Sequence, residues 1–381
     1  MKQNKQRLLL INQSGRGGLR KHLCDLLRNI DYDLFEVWIA YNDAEVDDIF
    51  RETIKELTGK VNSISIDTFV RELDVIKDIK TYIQLSQLIK KIKPDIVHCH
   101  SSKAGVLGRI ASKRRKIDKI FYTPHWYSFL SKEFSDKKVS FFISIERFLS
   151  LHATTKTFNT SYGEKEAALM NKIDLECKFK VIYNGLPEVK LPDKKDIRKE
   201  LGIPKEAFLF GNSARISHQK NPFLFIEIAN EVIKKNKSIH FLWIGDGPLM
   251  EEVKSKIHSL NILDNFHLIG SRDDSEFLVR CFDGFLSTSN GESFGYSAVE
   301  ALRAGVPVLL SDVMGHNEVC VPYINGILFD QKSSVSEISN SVYNFIEWKK
   351  ISNEKEIINS FNQRFSLDCM IEKIITEYGV S

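Results

Sequence analysis

The stretch GESFGYSAVEALRAGVPVLLSD, residues 291–312, has the order of loop, helix and strand that builds a parallel sheet. The apolar run GFLSTS at 284–289 predicts a strand that leads into the loop. A helix is predicted to begin near Phe294 and Gly295, and PVLLSD at 307–312 predicts the next strand. Strands joined through a helix lie parallel, because the crossover returns the chain to the same end of the sheet. The stretch therefore indicates an α/β fold.

The same alternation of apolar runs and helical patterns extends through most of the chain. Strand candidates lie at 7–12, 35–41, 61–66, 95–100, 119–124, 154–160, 180–184, 208–215, 239–245, 266–270, 284–289, 307–312 and 326–329. We predict two Rossmann-like, doubly wound domains that face each other across a cleft. The polar stretch at 185–196 separates a domain at 1–187 from one at 188–360, and a last helix is predicted at 361–381.

The composition excludes several classes of protein. A chain of 381 residues exceeds the size of one core, about 250–300 residues, so two domains are expected. The net charge of +4 indicates no nucleic-acid partner, and the apolar run at 8–11 is too short for a signal peptide or a membrane span. The six cysteines include no CxxC pair, so no zinc or redox motif is predicted, and scattered thiols favour a cytoplasmic location.

The loop and helix start of the quoted stretch carry groups that suit a phosphorylated sugar. Free amides at the start of a helix bind phosphate or sugar oxygens, which places the backbone of Phe294 and Tyr296 at the ligand. Gly295 lets the backbone approach a ligand closely. Glu292 is placed to accept hydrogen bonds from hydroxyls, and Glu300 to hold a ribose diol. The alternative is that these glutamates are a first-turn acid and part of a solvated helix face.

The E-x7-E pattern of Glu292 and Glu300, with FG between them and EALRAGVPV beginning at the second, resembles the retaining GT-B glycosyltransferases of family 4 (glycosyl transferases group 1). Further motifs of that family follow in the right order: SGRGG (14–18), HSSKAG (100–105), YTPH (122–125), VIYNG (181–185), ARISHQKNP (214–222) and IGDGP (244–248). The resemblance implies a nucleotide-diphosphate-sugar donor on the second domain, an acceptor on the first, retention of anomeric configuration and no metal ion or other cofactor. It also implies that the last helix crosses back onto the first domain.

Two cations follow the strand predicted at 208–215. Arg215 and Lys220 suit a diphosphate, because cations offset the charge that grows on a leaving group. The alternative is a pair of surface cations, although a basic residue at a helix start opposes the helix dipole. In the family these two positions contact the donor diphosphate, and we expect Arg272 to flank the nucleotide base.

The first domain offers a glycine loop and a histidine. Gly17 and Gly18 open the first helix and are expected to expose backbone amides to the donor. His125 ends a strand, and in the family this position lies near the transferred sugar. A structural histidine that caps a loop is an equal alternative for His125.

The acceptor is expected near His100, Ser102 and Lys103, at the start of the helix that follows the fourth strand. His98 and His100 alternate along that strand and so face the same side. Such a pair can bind a metal ion, but no carboxylate or cysteine has suitable spacing, and we predict no metal site.

Two segments of the first domain are rich in basic residues. One is the helix after His100, with Lys103, Arg109 and the run at 113–116, and the other is the aromatic stretch 134–148. We expect them to contact the anionic inner face of the cytoplasmic membrane. The alternative is that they are solvated helix faces over a core.

Together with the resemblance, these observations predict a retaining hexosyl- or other glycosyltransferase that moves a sugar from a nucleotide-diphosphate donor to a glycan or polyprenyl-linked acceptor. A UDP-sugar is favoured over a GDP-sugar, and the base stays open. The resemblance implies a role in bacterial surface polysaccharide synthesis, such as capsule or O-antigen. The alternatives are a nucleotide-sugar epimerase of the same fold and a non-catalytic protein that kept the fold. An NAD-dependent oxidoreductase is disfavoured, because the chain lacks the GxGxxG fingerprint.

Overall fold

The computed structural model of the chain describes residues 5–131 and 134–379, without the side chains of Lys195 and Asp196. The chain divides into two compact units. The first contains the residues up to Pro187 together with those from Leu367 onward, and the second is Glu188–Ser366.

The described part of the first unit contains a sheet of seven strands. They are β1 (Gln6–Asn12), β2 (Phe35–Tyr41), β3 (Val61–Ser65), β4 (Ile96–His100), β5 (Lys119–Thr123), β6 (Lys156–Asn159) and β7 (Phe179–Val181). Their order is β3-β2-β1-β4-β5-β6-β7, and all neighbours are parallel. The order reverses between β1 and β4, which is where ligands of such sheets bind, beyond the carboxyl ends of the strands.

The second unit, in its described residues, contains a sheet of six strands. They are β8 (Phe208–Ser213), β9 (Ile239–Ile244), β10 (Phe266–Leu268), β11 (Gly284–Ser287), β12 (Val308–Ser311) and β13 (Gly326–Phe329). The order β10-β9-β8-β11-β12-β13 is again parallel throughout and reverses between β8 and β11. The prediction of two parallel α/β sheets is confirmed.

The helices connect successive strands. The first unit has α1 (Gly17–Asn29), α2 (Asp48–Glu56), α3 (Val75–Ile92), α4 (Ser102–Arg114), α5 (Asp136–Ala153) and α6 (Tyr162–Met170). The second has α7 (Lys194–Glu200), α8 (Pro222–Lys235), α9 (Met250–Ser259), α10 (Ser275–Leu278), α11 (Tyr296–Arg303), α12 (His316–Val319), α13 (Val335–Lys349) and α14 (Glu354–Phe365). The last helix, α15 (Leu367–Tyr378), belongs to the first unit.

The C-terminal segment differs from the single helix predicted at 361–381. Two helices meet there, because Ser366 has extended backbone angles (φ −66°, ψ 148°) that end α14. The second helix, α15, packs on the first sheet, where the Tyr378 hydroxyl lies 2.7 Å from Nδ1 of His98. The amide of Leu367 donates a hydrogen bond to the carbonyl of Leu186.

The core of the second unit is built largely from aromatic side chains. Phe210, Phe225, Phe241 and Phe266 are buried and pack with ring centroids 5.8–6.5 Å apart. Trp243 is buried beside them and donates its indole N–H to the carbonyl at the end of β8. This packing holds the carboxyl end of β8 rigidly, and the candidate site begins there.

Candidate active site

The centre of the candidate site is an ion pair between two loops. Lys220 lies in the loop after β8 and Glu292 in the loop after β11, and these strands are neighbours in the sheet. Lys220 Nζ is 2.5 Å from Glu292 Oε1, and the two side chains are 22% and 10% exposed. The structure thus brings together two of the residues that the sequence predicted, at the point where the strand order reverses.

Hydrogen bonds to backbone carbonyls fasten the two loops to each other. The Thr288 hydroxyl lies 2.9 Å from the carbonyl of Asn221 and 3.2 Å from that of Lys220, and donates to this pair of acceptors. The amide of Asn290 donates to the carbonyl of Gln219 at 2.8 Å. Lys220 is therefore positioned by its backbone as well as by its ion pair.

A third loop, after β12, supports Glu292. The amide of Glu292 donates to the carbonyl of Met314, and a Cβ at Gly315 would lie 2.4 Å from the carbonyl oxygen of Glu292. Gly315 also has a φ of 84°, which side chains other than glycine rarely adopt. Only glycine therefore fits this contact without strain.

The charges in this site favour an ionised Glu292. Burial alone would raise the pKa of this carboxyl, but the charge of the Lys220 ammonium and hydrogen bonds from Lys220 and the Ser289 hydroxyl hold the pKa below its ordinary value. Burial lowers the pKa of His316 to about 4, so its ring is neutral at pH 7. His316 and Ser289 could not be predicted as site residues from the sequence, because isolated histidines and serines carry no pattern that distinguishes them.

The helix α11 begins directly after this loop. Gly295 is its N-cap residue, with a φ of 85°, and no side chain caps the first turn. The hydroxyl of Ser297 in that turn donates to the carbonyl of Ser213 at the end of β8. The ring of Phe294 is buried against Tyr296, at 5.1 Å between centroids, so only the backbone of Phe294 is placed to meet a ligand.

The space around the ion pair is almost filled. A cavity of about 10 Å³, roughly the room for one water molecule, lies between the loops. Its lining is formed by Asn212, Ser213, Ala214, Lys220, Phe285, Ser287, Ser289, Glu292, Gly295, Ser297, Ala298 and His316. A phosphate that reaches Lys220 from this side must displace the Glu292 carboxylate or share the lysine with it.

The other predicted donor residues lie around this centre rather than in it. Arg215 is exposed on the loop after β8, and Glu300 is buried on the second turn of α11. Arg272 follows β10, two strands away from β8, and its guanidinium bonds Asp274 at 2.8 Å and Glu200 at 3.1 Å. These hydrogen bonds raise the pKa of Arg272 further above its ordinary value.

Two glycines of the motif IGDGP position the loop that carries Arg215. A Cβ at Gly245 would lie 2.1 Å from the carbonyl oxygen of Ala214, and one at Gly247 would lie 2.2 Å from that of Ile216. The sequence alone gave this motif no role beyond its resemblance to the family. Its glycines allow the loops after β8 and β9 to touch, which a pattern of residue types alone does not reveal.

In the first unit the glycine loop opens α1. Gly17 begins the helix with a φ of 60°, and Gly18 continues the first turn. The loop is held by Gly15, whose carbonyl accepts from the amide of Asp47 and whose absent Cβ would lie 2.8 Å from the Phe50 ring. The first-turn amides of α1 therefore face the carboxyl end of the first sheet.

Three histidines meet beyond the carboxyl ends of this sheet. His22 lies on α1, His100 ends β4, and His125 follows β5. His100 Nδ1 and His125 Nε2 are 3.2 Å apart, and His22 Nδ1 is 2.8 Å from Oδ1 of Asn184. Burial lowers the pKa of His22 to about 4 and holds those of His100 and His125 well below the ordinary value. His22 could not be predicted from the sequence, because nothing in the helix pattern connects it with His100.

The neighbouring His98 has a different environment. Its Nδ1 lies 2.7 Å from the Tyr378 hydroxyl and its Nε2 lies 2.8 Å from the Thr123 hydroxyl. Both ring nitrogens are therefore occupied, and His98 links α15 to the sheet.

The predicted acceptor residues at the start of α4 make contacts within the first unit. The hydroxyls of Ser102 and Ser128 are 2.7 Å apart. Lys103 bonds the Asp78 carboxylate at 2.7 Å and also the carbonyl of Glu72, so it ties α4 to the start of α3.

The placement of Arg109 on a basic surface was wrong. Arg109 is fully buried, 2.7 Å from the Glu146 carboxylate, and its guanidinium lies 3.9 Å from the centre of the Tyr122 ring. The Glu146 carboxylate comes from the neighbouring helix α5, and its charge offsets the cost of burying the guanidinium.

A larger concavity of about 1090 Å³ lies elsewhere in the second unit. Its lining includes Ile203 and Glu206 before β8, Asp283 before β11, and Ala304 after α11. These residues lie near the amino ends of the strands, opposite the Lys220–Glu292 pair. Size alone therefore does not indicate the site.

Comparisons with known proteins identify the family of this chain. Residues 16–188 match the family model Glycosyltransferase Family 4, and residues 193–360 match Glycosyl transferases group 1. The chain is 30% identical over 321 residues to the UDP-Gal:alpha-D-GlcNAc-diphosphoundecaprenol alpha-1,3-galactosyltransferase of Escherichia coli, with 80% of this chain and 81% of that protein covered. This chain is a glycosyltransferase.

Other relatives of the glycosyltransferase extend the comparison. The O-antigen biosynthesis glycosyltransferase WclY of Escherichia coli is 26% identical over 206 residues, which cover 53% of this chain and 54% of that protein. The structure of HepE from Anabaena in complex with UDP-glucose matches with a TM-score of 0.81 at 20% identity, over 98% of this chain and 99% of that one. The predicted GT-B fold is thus confirmed. Among its described residues, the glycosyltransferase has no helix with the length and hydropathy of a membrane span.

Proposed function

We propose that this glycosyltransferase moves a sugar from a UDP-sugar to a lipid-linked glycan, with retention of anomeric configuration, during surface polysaccharide synthesis. The similarity to the Escherichia coli galactosyltransferase supports the donor and the acceptor class, since that protein is named for UDP-Gal and a GlcNAc-diphosphoundecaprenol. The match to an O-antigen glycosyltransferase supports the role in surface polysaccharide synthesis.

The observation that carries the proposal is the Lys220–Glu292 pair at the start of α11. Lys220 offers the cation for a donor diphosphate, and the exposed Arg215 on the adjacent loop adds a second. Glu292, with the amides near Phe294 and Gly295, is assigned to the sugar hydroxyls. This arrangement has cationic and hydrogen-bond-accepting groups side by side, as a sugar diphosphate requires.

Two further residues are assigned to the nucleotide. Glu300 holds the ribose hydroxyls, and the loop that carries Arg272 flanks the base. In the first unit we assign Gly17, Gly18 and His125 to the donor, and His100, Ser102 and Lys103 to the acceptor side.

The proposed reaction is a front-face substitution. The bond between the anomeric carbon and the diphosphate oxygen breaks, and its electron pair stays on that oxygen, where Lys220 and Arg215 offset the charge. The acceptor hydroxyl oxygen forms its bond on the same face, and its proton passes to the departing phosphate oxygen. The protein supplies position and charge, and no covalent enzyme intermediate or cofactor is invoked.

We also propose that the first unit contacts an anionic membrane, which would bring it to a lipid-linked acceptor. Exposed apolar side chains support this: Leu73, Val75, Ile76, Ile79 and Ile83 at α3, and Phe141, Phe148 and Leu151 on α5. Helix α4 packs between α3 and α5, so these residues lie on one side of the sheet. Clusters of exposed apolar side chains are typical of membrane or protein contacts.

The proposal is tested with purified protein, a GlcNAc-diphospho-lipid acceptor, and UDP-galactose, UDP-glucose or GDP-mannose as donor. We expect transfer from a UDP-sugar, detected by mass spectrometry of the lipid product. Nuclear magnetic resonance of the new linkage is expected to show the α configuration of the donor. A β linkage would overturn retention, and transfer from the GDP-sugar alone would overturn the donor assignment.

A reaction with donor alone separates transfer from isomerisation. We expect the UDP-sugar to remain unchanged in the absence of acceptor, apart from slow hydrolysis. An isomerised sugar nucleotide without any transfer product would instead support an epimerase.

A further inference from the structure

We propose that the large concavity of the second unit binds a small molecule that carries a phosphate group on an apolar body. This concavity, of about 1090 Å³, lies near the amino ends of the strands and is lined by residues of the second unit alone. Among its described lining residues, six are lysines or arginines and four are carboxylates. The inference does not depend on the proposed donor, acceptor or stereochemistry.

Two cations share one carboxylate in the wall of the concavity. Lys194 Nζ lies 2.5 Å from one oxygen of Asp283, and a terminal nitrogen of Arg198 lies 2.5 Å from the other. The second oxygen also accepts a hydrogen bond from the amide of Leu209. One carboxylate balances only one of the two cations, so this group keeps an excess of positive charge.

A further cation beside this group, Lys349, has no carboxylate of its own. It is the last residue of α13, and its ammonium forms no ion pair among the described residues. Burial and then the charge of Lys194 lower the pKa of Lys349, although Glu354 and Asp283 act in the opposite direction. An ammonium that is partly withdrawn from water beside other cations is costly, and a bound anion would offset that cost.

Arg280 offers directed donors to the same wall. Its Nη1 lies 2.6 Å from the carbonyl oxygen of Ala304 and 2.9 Å from the Glu354 carboxylate, so these contacts fix the guanidinium. Its Nη2 has no partner among the described residues, and the side chain is 28% exposed. A fixed guanidinium edge next to lysine ammonium groups is a combination that binds phosphate.

The charge and the lining of the concavity select the class of ligand. A phosphate monoester carries about 1.5 to 2 negative charges near pH 7, which matches the excess at Asp283 together with Lys349. Leu191, Ile203 and Ile358 add apolar surface to the lining. Small-molecule sites have volumes of about 300–1,000 Å³, so a bare phosphate would leave most of this space empty. We therefore take phenyl phosphate as the probe, with inorganic phosphate and phenol as its separate parts.

The test is isothermal titration calorimetry of the full chain with phenyl phosphate, in the wild type and in Lys220→Ala. The second protein lacks the cation proposed for the donor diphosphate, so binding that it retains lies elsewhere. Within Lys220→Ala, the added changes Lys349→Gln and Arg280→Gln are each expected to weaken binding at least about 10-fold, because each removes a charged donor. Inorganic phosphate and phenol are each expected to bind at least about 10-fold more weakly than phenyl phosphate.

A matched control is the next residue of the chain. Lys350 is 64% exposed and pairs with Glu347, so Lys350→Gln removes the same charge from outside the concavity. This variant is expected to keep the affinity within about twofold, because water and salt screen an exposed charge.

The proposal is overturned if phenyl phosphate does not bind the wild type, or if Lys220→Ala abolishes its binding, which would place the probe at the candidate active site. It is also overturned if Lys349→Gln binds the probe as tightly as Lys350→Gln. Inorganic phosphate that binds as tightly as phenyl phosphate would overturn the apolar part of the ligand. Circular dichroism checks the fold of each variant, and Arg280→Gln carries the test if Lys349→Gln does not fold.

Discussion

Lys220 Nζ lies 2.5 Å from Glu292 Oε1, and the two residues follow neighbouring strands at the reversal point of the second sheet. Each ion is largely withdrawn from water, so each depends on the other for compensation. A diphosphate bound at Lys220 would compete with Glu292 for the same ammonium group. The pair thus holds in place the cation that we propose for the donor diphosphate.

Replacement of Lys220 by alanine is expected to lower kcat/KM for transfer by about 10²–10³-fold, because the proposed mechanism uses its charge to stabilise the leaving diphosphate. The variant also leaves Glu292 buried without its main counter-ion, so the pKa of Glu292 should rise. The measurement is steady-state transfer from the UDP-sugar, with circular dichroism as the check on folding.

A matched control comes from a second ion pair of the same length. Lys194 Nζ also lies 2.5 Å from a carboxylate, that of Asp283, but near the amino ends of the strands. Lys194→Ala is expected to retain transfer within a few fold. Equal losses in both variants would show that the effect of Lys220 is structural, and full activity of Lys220→Ala would remove it from the mechanism.

The buried pair of Arg109 and Glu146 leads to a prediction about stability. Arg109→Ala leaves the Glu146 carboxylate buried without its partner and removes the cation from the face of Tyr122. Loss of one partner of a buried pair costs about 3–5 kcal/mol in the free energy of unfolding. Chemical denaturation followed by fluorescence measures it.

The control for this prediction is an exposed pair in the same unit. Arg28 lies 2.8 Å from the Glu56 carboxylate, with side chains 37% and 54% exposed. Arg28→Ala is expected to cost about 0.2–1 kcal/mol, because water screens such pairs. A similar cost for both arginines would contradict the importance of burial at Arg109.

The strands could be predicted from the sequence because a parallel sheet is covered on both faces, which makes its strands continuous apolar runs. Residues 8–11 of β1 show this, with no exposed area on any of the four. The convergence of Lys220 and Glu292 could also be expected, because each follows a strand and the carboxyl ends of parallel strands share one edge. The position of the Arg215 side chain could not be predicted in this way. Arg215 is exposed, and the direction of its side chain depends on the conformation of the loop.

The features that could not be predicted from the sequence depend on contacts between residues far apart in the chain. Arg109 lies on a helix with many basic residues, and only the approach of Glu146 from α5 makes it a core residue. His22 and His100 are 78 positions apart by their numbers, and only the order of β1 and β4 in the sheet brings them together. Ser366 breaks the C-terminal segment into two helices, although serine is no strong helix breaker.

The exposed apolar face of α3 leads to a prediction about membrane binding. The double change of Ile76→Ser and Ile79→Ser is expected to reduce cosedimentation with vesicles that contain anionic phospholipid, because both side chains are more than half exposed. Sedimentation at increasing vesicle concentration measures the apparent affinity.

The matched control is another exposed isoleucine outside that face. Ile351 is 83% exposed and lies in the second unit, so Ile351→Ser is expected to leave vesicle binding unchanged. A membrane role for α3 would be contradicted if neither variant loses vesicle binding, or if the wild type does not bind vesicles.

The buried His316 predicts a loss of stability in acid. Burial lowers its pKa in the folded chain to about 4, whereas an unfolded histidine has a pKa of about 6.5. Between these values the unfolded chain binds a proton that the folded chain does not. The free energy of unfolding therefore falls as the pH falls through this window, by at most about 1.4 kcal/mol per pH unit for this one residue.

The measurement is the thermal unfolding midpoint of the full chain at pH values from 7.5 to 5.0. We expect His316→Gln to start from a lower midpoint, because the buried site is disturbed, but to lose less stability on acidification than the wild type. The exposed His258 supplies the control, since His258→Gln removes an imidazole that folding does not bury. If the pH profiles of wild type and His316→Gln run parallel, the acid sensitivity arises from other groups, and His316 is protonated as readily in the folded chain as in the unfolded one.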